Sequence, residues 1–415
     1  MTLAINLTLA LIIALALRFF LSKRLIETAR WRATITPLAS IIGSGFLVSV
    51  PLLSVAVGNA AIFAMAGLVA YAYFVGGAIR FNILHGESLF EKQRLERKGL
   101  NSSSLAYYAE HVSHIALVGA YFVSVAYYLS LLSLFLLKGL GKSDPLLART
   151  LTTVFLGFIG VYGFVWGLRG LERLEEYAVG FKLAVIVAIL VAFAGHNLDL
   201  FASGTWALGT LPGHFDLETF RALLGFVIVV QGFETSRFLS GQYSPKLRVQ
   251  TMRDAQLLSG AIYIVFFALA TVMFRKHYAS GEVAAIVDMV GVIAIILPVM
   301  LTAAAVASQF SASVADAIGG AGLLHQTFNQ RMALKNLYPV LALIAMVLVW
   351  TGNVFDIISL ASRAFALYYF LQCLVAVFVA WTTTGIAGRR RLIIWYAVLA
   401  FVSLGAAVFG ISAAA

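Results

Sequence analysis

Charge is scarce in this 415-residue chain: 11% of its residues are Asp, Glu, Lys or Arg, against about 25% in soluble domains. Hydrophobic residues make up 61% and the mean hydropathy is +0.95, so no water-soluble globular fold fits. The fold class that remains is an all-α polytopic membrane protein. One cysteine excludes a disulfide framework or a multi-cysteine metal site, and the seven histidines never fall in a zinc spacing on a face shared with acids. Pro- and Ser-rich linkers are also absent, which leaves one membrane domain. The net charge of +11 could point to nucleic acid, but the placement of the basic residues points elsewhere.

A helix needs about 20 apolar residues to cross a bilayer. Twelve stretches qualify: 3–22, 33–57, 59–83, 112–137, 147–168, 174–195, 217–241, 255–274, 284–314, 337–352, 354–381 and 391–411. Only the polar break Thr351-Gly352-Asn353 divides the pair over 337–381. With the N-terminus outside, 19 of the 29 Lys and Arg residues fall on the inner side, among them Lys23, Arg24, Arg248, Arg253 and Arg389 to Arg391. Five fall outside: Lys138, Lys142, Arg149, Arg275 and Lys276. This is the positive-inside pattern of a multi-pass protein of the plasma or bacterial inner membrane. Topology and anionic lipid account for the charge, and no nucleic-acid partner is required. The first stretch has its basic pair, Lys23-Arg24, after the apolar run, which is the order of a retained anchor rather than of a cleaved signal peptide.

Two stretches carry signals of interruption. Ile42-Gly43-Ser44-Gly45 places two glycines around a serine about 16 Å beyond Arg32 along a helix. Gln231-Gly232-Phe233-Glu234 brings a glycine, an amide and a carboxylate into an apolar run. The two lie five spans apart and so enter from opposite sides. Interrupted helices at matching places in halves of opposite topology point to an inverted-repeat transporter with a midplane site. Gly157, Gly160, Gly163, Gly167 and Gly170 instead form a continuous stripe suited to helix packing. Gly43 and Gly45 face different ways, which favours a break over packing there. The expectation is that Gly43 to Gly45 and Gly232 to Glu234 are both non-helical and face each other across one cavity.

At these residues the chain resembles the amino acid, polyamine and organocation (APC) superfamily. Ile42-Gly43-Ser44-Gly45-Phe46 resembles its first core helix motif and Gly232-Phe233-Glu234 its sixth. Ser244-Pro245-Lys246-Leu247-Arg248 is similar to the loop joining core helices six and seven, and Lys182 to the lysine of the fifth. The resemblance implies a LeuT-type fold of five plus five inverted helices. Residues 1–32 are then an extra helix and linker, 33–196 and 197–381 the two repeats, and 382–415 one extra C-terminal helix. In such families the lysine occupies the place of a coupling sodium ion.

An ionisable group within a membrane helix is costly and functional by default. Lys182 lies about 13 Å past Arg173 and changes protonation readily when buried, although a lysine there can also snorkel to the surface. Glu234 suits binding a substrate amine, carrying a proton, or tying the break segments together, and equally a purely structural carboxylate paired to backbone N–H groups. Amides freed beside Gly43, Ser44 and Gly45 suit a carboxylate, and carbonyls near Gln231 and Gly232 an ammonium. Ser308 and Ser311 are candidates to meet Lys182 or a sodium ion, or serve only to join helices. Arg363 and Asp356 share the eleventh stretch, where the arginine suits a buried carboxylate or carbonyl. Tyr121, Tyr127, Tyr128, Phe233, Tyr368 and Tyr369 suit a pocket wall, although membrane-interface belts and lipid-facing positions are the usual place of such aromatics. His111 and His114, three residues apart just after Glu110, make a weak metal pair with no further ligand to complete it.

The combined expectation is a secondary active transporter of a small amine-bearing or amino-acid-like solute. It needs no cofactor, has no enzymatic activity, and is proton-coupled or an exchanger. Sodium coupling to another organic solute is the alternative, as is a channel or non-transporting sensor on the same fold.

Overall fold

The computed structural model describes residues 2–96, 102–168, 172–209, 213, 216–239, 242–273, 284–327 and 332–411. Gly170, Arg97, Lys98, Arg169, Arg275, Lys276 and Arg331 lie outside these residues, as does the side chain of Ser44. Among the described residues there is no strand.

The apolar runs become twelve membrane elements. These are α1 (Thr2–Phe20), α2 (Ala29–Val57), α3 (Ala61–Phe81), α4 (Ser102–Gly139), α5 (Pro145–Trp166) and α6 (Glu172–Ala202). The interrupted α7 joins a helical turn, Leu217–Leu224, to two 3₁₀ segments, Val227–Val230 and Phe233–Leu239. Then follow α8 (Pro245–Ala270), α9 (Ile296–Thr327), α10 (Leu334–Thr351), α11 (Val354–Thr382) and α12 (Arg389–Phe409). Among the described residues, ten stretches are long and apolar enough to span a bilayer. One of them, Ala29–Lys92, contains both α2 and α3, and α1 contributes the shorter apolar helix Ala4–Phe20.

Local chemistry sets most ends. Asp144 accepts from Leu146 N (2.9 Å) and Leu147 N (3.2 Å) and starts α5 with Pro145 behind it. The break at Gly352 is a true helix boundary, because Asn353 and Asp356 form a reciprocal capping box that starts α11. Several expected boundaries move, and the eighth element begins at Pro245 rather than 255. The fourth element begins at Ser102, which brings Glu110 inside it, and the ninth begins at Ile296. Residues 284–295 are as apolar as a span but form a short helix, Ile286–Gly291, and turns.

α4 is the most enclosed span and α12 among the least, with 83% and 28% of their most apolar windows buried. Four elements pack on the one five places later, α2 on α7, α3 on α8, α4 on α9 and α5 on α10, while α2 also lies on α8 and, among the described residues, α6 does not pack on α11. α11 also packs on α4, while α1 covers α6 and α12 covers α11. Part of the expected glycine stripe of α5 is a packing face: a Cβ on Gly160 would sit 2.9 Å from Ala342 Cβ, and one on Gly163 2.6 Å from Tyr338 Cγ. Gly167 does not continue it; it ends the helix at φ +74° with nothing within 4 Å of a Cβ. Large apolar side chains such as Phe63 and Phe401 face outward, as a lipid-exposed surface requires.

Candidate functional site

α7 is regular α-helix only over Leu217–Leu224; beyond that it is 3₁₀, and Gln231 and Gly232 lie between its two 3₁₀ segments. Gly232 takes φ +113°, where side chains are strained, and a Cβ there would sit 2.5 Å from Ser40 Oγ and 2.7 Å from Ile41 N. The interruption therefore lies hard against α2. Its backbone is satisfied from nearby: Glu234 Oε2 accepts from Gly232 N (2.9 Å) and Tyr369 Oη (2.8 Å), and Thr235 Oγ1 donates to Gly232 O (2.7 Å). Gln231 Nε2 donates to Tyr128 Oη (2.7 Å), and Phe233 stacks on Tyr369 at 5.0 Å.

The first expected break is corrected. α2 runs as helix through Gly43, Ser44 and Gly45. Glycine weakens a helix by only about 1 kcal/mol relative to alanine, and packing overrides that. The glycines serve close approach instead: a Cβ on Gly45 would overlap the Val229 backbone. The two segments meet, but directly and in a shifted register, with Gly232 on Ser40 and Ile41 and Val229 on Gly45. They do not face each other across a cavity, and the amides of Gly43 and Gly45 lie within a helix rather than at a freed helix end.

This stretch of α2 is nonetheless unusual, because three of its carbonyls receive side-chain donors from three different helices. Lys182 Nζ on α6 donates to Ala39 O (2.8 Å), Tyr263 Oη on α8 to Ile41 O (3.2 Å) and Val229 O (2.7 Å), and Gln309 Nε2 on α9 to Gly43 O (3.0 Å). Pro37 and Pro51 flank the stretch. Lys182 is 4% exposed and does not snorkel. A Cβ on Gly43 would lie 3.5 Å from both Lys182 Nζ and Ser308 Oγ, so α2, α6 and α9 converge there. Ile42, Gly43, Lys182, Ser308 and Gln309 line a cavity of about 10 Å³, room for roughly one water. Ser311 is not brought to Lys182; its hydroxyl bonds back to Ser308 O (3.0 Å).

Several polar atoms at this centre are buried without a hydrogen-bond partner among the described residues: Gln231 Oε1, Glu234 Oε1, Ser308 Oγ, Gln309 Oε1 and Tyr368 Oη. Tyr121, Tyr127, Tyr128, Tyr368 and Tyr369 are all buried around them. Asp316 on α9 is held by Ser124 Oγ of α4.

A second polar network escaped the sequence reading. It lies one 3₁₀ turn beyond Glu234, at the end of the molecule that carries the basic loops. Arg237 Nη2 pairs with Glu110 Oε1 (2.6 Å), both side chains being buried, and Arg237 Nη1 donates to Gln372 Oε1 (2.6 Å). Gln372 Nε2 donates to Glu110 Oε2 (2.9 Å) and Ser113 Oγ (2.8 Å), and Asn82 Nδ2 to Gln372 O (2.9 Å). Asn82 opens a π-helical turn, Asn82–Gly86, at the end of α3. Arg248 grips Glu87 with two bonds (2.8 and 2.6 Å) and Arg237 O (2.9 Å). The signals were the polar Gln372 and Asn82 inside apolar runs. Glu110 read instead as part of a metal motif with His111 and His114, but His114 Nε2 sits 2.9 Å from Glu110 Oε1 as its partner, and no metal-holding cluster occurs among the described residues. Arg363 reaches Ala407 O (2.9 Å) rather than Asp356, whose carboxylate belongs to the capping box.

Residues 23–410 match the family described as APC superfamily transporters. The chain belongs to that family. An uncharacterized protein of Aquifex aeolicus (strain VF5) is 41% identical over 366 residues, covering 87% of each chain. The match takes in every element from α2 to α12 and leaves α1 outside it. As a member of the APC family, this multi-pass protein is a transporter, with the bilayer and a small solute as its partners.

Proposed function

We propose that this APC-family chain is a secondary active transporter of a small amine-bearing or amino-acid-like solute, working by alternating access. The observation that carries the reading is the interruption of α7, where Gln231 Oε1 and Glu234 Oε1 are buried acceptors without partners, against a stretch of α2 whose carbonyls are held by side chains of α6, α8 and α9. Buried acceptors beside a carboxylate suit an ammonium, which supplies donors and charge. In this conformation α2 and α7 touch, so the solute enters when they separate. The packing of each of α2 to α5 on the element five places later supports a five-plus-five inverted repeat.

The coupling we favour is to protons, or exchange, rather than sodium. Lys182 places its ammonium between α2 and α9, and a cation there repels a sodium ion. The Arg237, Glu110 and Gln372 network ties α4, α7 and α11 together on the side we read as cytoplasmic, where it acts as the inner closure. The positive-inside rule supports that orientation, with the N-terminus outside. Thermal unfolding of purified protein with amino acids, simple amines and amine-free carboxylates tests the solute class. Amine-bearing solutes should raise the midpoint, and Glu234→Gln should abolish the shift; stabilisation by amine-free acids alone would refute the assignment.

A further inference from the structure

At the end of the molecule opposite the basic loops, the tips of α4, α5, α10 and α11 enclose a cavity of about 450 Å³, a size typical of ligand pockets. None of its lining residues belongs to α2 or α7, although Ser130 at its floor lies two residues along α4 from Tyr128, the partner of Gln231. Leu134, Leu137, Ala148, Val349, Phe355 and Ile357 make its wall apolar. Lys138, Lys142 and Arg149 lie on its lining. These are three of the five basic residues that the sequence places on that side, where the positive-inside rule makes cations rare.

The charges are unequally committed. Lys138 pairs with Asp288 at 2.7 Å, and the Asp144 carboxylate caps α5. Lys142 is exposed, and Arg149 donates from Nη2 to Gly352 O (3.0 Å). A guanidinium has five donors, so Arg149 retains capacity for an anion. The lining runs from Asp144 down to Thr152, eight residues or about 12 Å along α5, close to the depth of one leaflet of a core about 30 Å thick. Chain neighbours of the lining, Leu146 and Trp350, are exposed on the lipid-facing surface.

We propose that this cavity binds an anionic phospholipid of that leaflet, its phosphate held by Lys142 and Arg149 and one acyl chain lying along the apolar wall. The test uses the full chain in detergent micelles, with phosphatidylglycerol, phosphatidylcholine of the same chains, or oleate added, and reads thermal unfolding. A ligand that binds only the folded state raises the midpoint. Phosphatidylglycerol should raise it by several degrees more than phosphatidylcholine. Lys142→Gln with Arg149→Gln should remove most of that difference, and Ala148→Phe, which fills the cavity and keeps the charges, should do the same. An equal shift from phosphatidylcholine or oleate, or a phosphatidylglycerol effect undiminished in both variants, overturns the proposal. Should the variants fail to fold, Val354→Cys on the lining gives an independent reading, since the native Cys373 is buried. Phosphatidylglycerol should slow its maleimide labelling several-fold and phosphatidylcholine should not; labelling unslowed by phosphatidylglycerol also overturns the assignment.

Discussion

Glycines in this chain divide by what a methyl group would meet. At Gly45 it would meet the Val229 backbone, which has no rotamer to yield, whereas at Gly67 in α3 there is nothing within 4 Å. Gly45→Ala should therefore destabilise by about 1–3 kcal/mol, as overpacking does. Gly67→Ala should be neutral or stabilising by up to about 1 kcal/mol, the helix-propensity gain. Thermal unfolding of the pair in one detergent checks both signs. Lys182 is the other residue whose role is open to direct test. Its bond to Ala39 O exists only while α2 and α6 are in register, so a change of access alters support for the ammonium. Lys182→Ala should uncouple uptake from a pH gradient while leaving exchange measurable, and Lys182→Arg, which keeps its charge, should arrest gradient-driven uptake. If accumulation by Lys182→Ala still follows the gradient, coupling passes to Glu234.

Elements, more than residues, show what was legible in the sequence. The apolar runs located the elements, because lipid-exposed backbone must satisfy its own hydrogen bonds, although the run over 284–295 folds as a short helix and turns. The interruption in α7 was legible too, since a glycine, an amide and a carboxylate cannot sit together in an apolar run without tertiary partners. The helical state of α2 at Gly43 to Gly45 was not. It depends on Tyr263, Lys182 and Gln309 reaching it from elements far along the chain. The Arg237 and Glu110 pair was hidden for a similar reason: its partners come from α4, α7, α11 and the end of α3, and no local spacing announces them. That network makes its own prediction. Removing one partner of a buried ion pair costs about 3–5 kcal/mol, whereas removing both charges costs less. Arg237→Gln should lower stability more than Arg237→Gln combined with Glu110→Gln. Either should open the inner side, raising maleimide labelling of Ser236→Cys, a position fully buried here. Unchanged labelling would show that the network does not close that side.

At the scale of the whole molecule, α2 and α7 are pressed together against α8, with α9 on α2 and α11 on α7, and with ion pairs and amides at one end and an apolar cavity with a cationic rim at the other. Such an arrangement transports only if α2 and α7 part and re-form against their neighbours, and the buried acceptors at Gln231 and Glu234 give an amine a reason to enter when they do. The most direct test is uptake into proteoliposomes of labelled amines and amino acids, with and without an imposed pH gradient, comparing the natural protein with Glu234→Gln. The account predicts saturable uptake of at least one amine-bearing solute, driven by the gradient or by exchange and lost in Glu234→Gln. Uptake no greater than in empty liposomes across the panel, or uptake of amine-free solutes indifferent to Glu234→Gln, would contradict it.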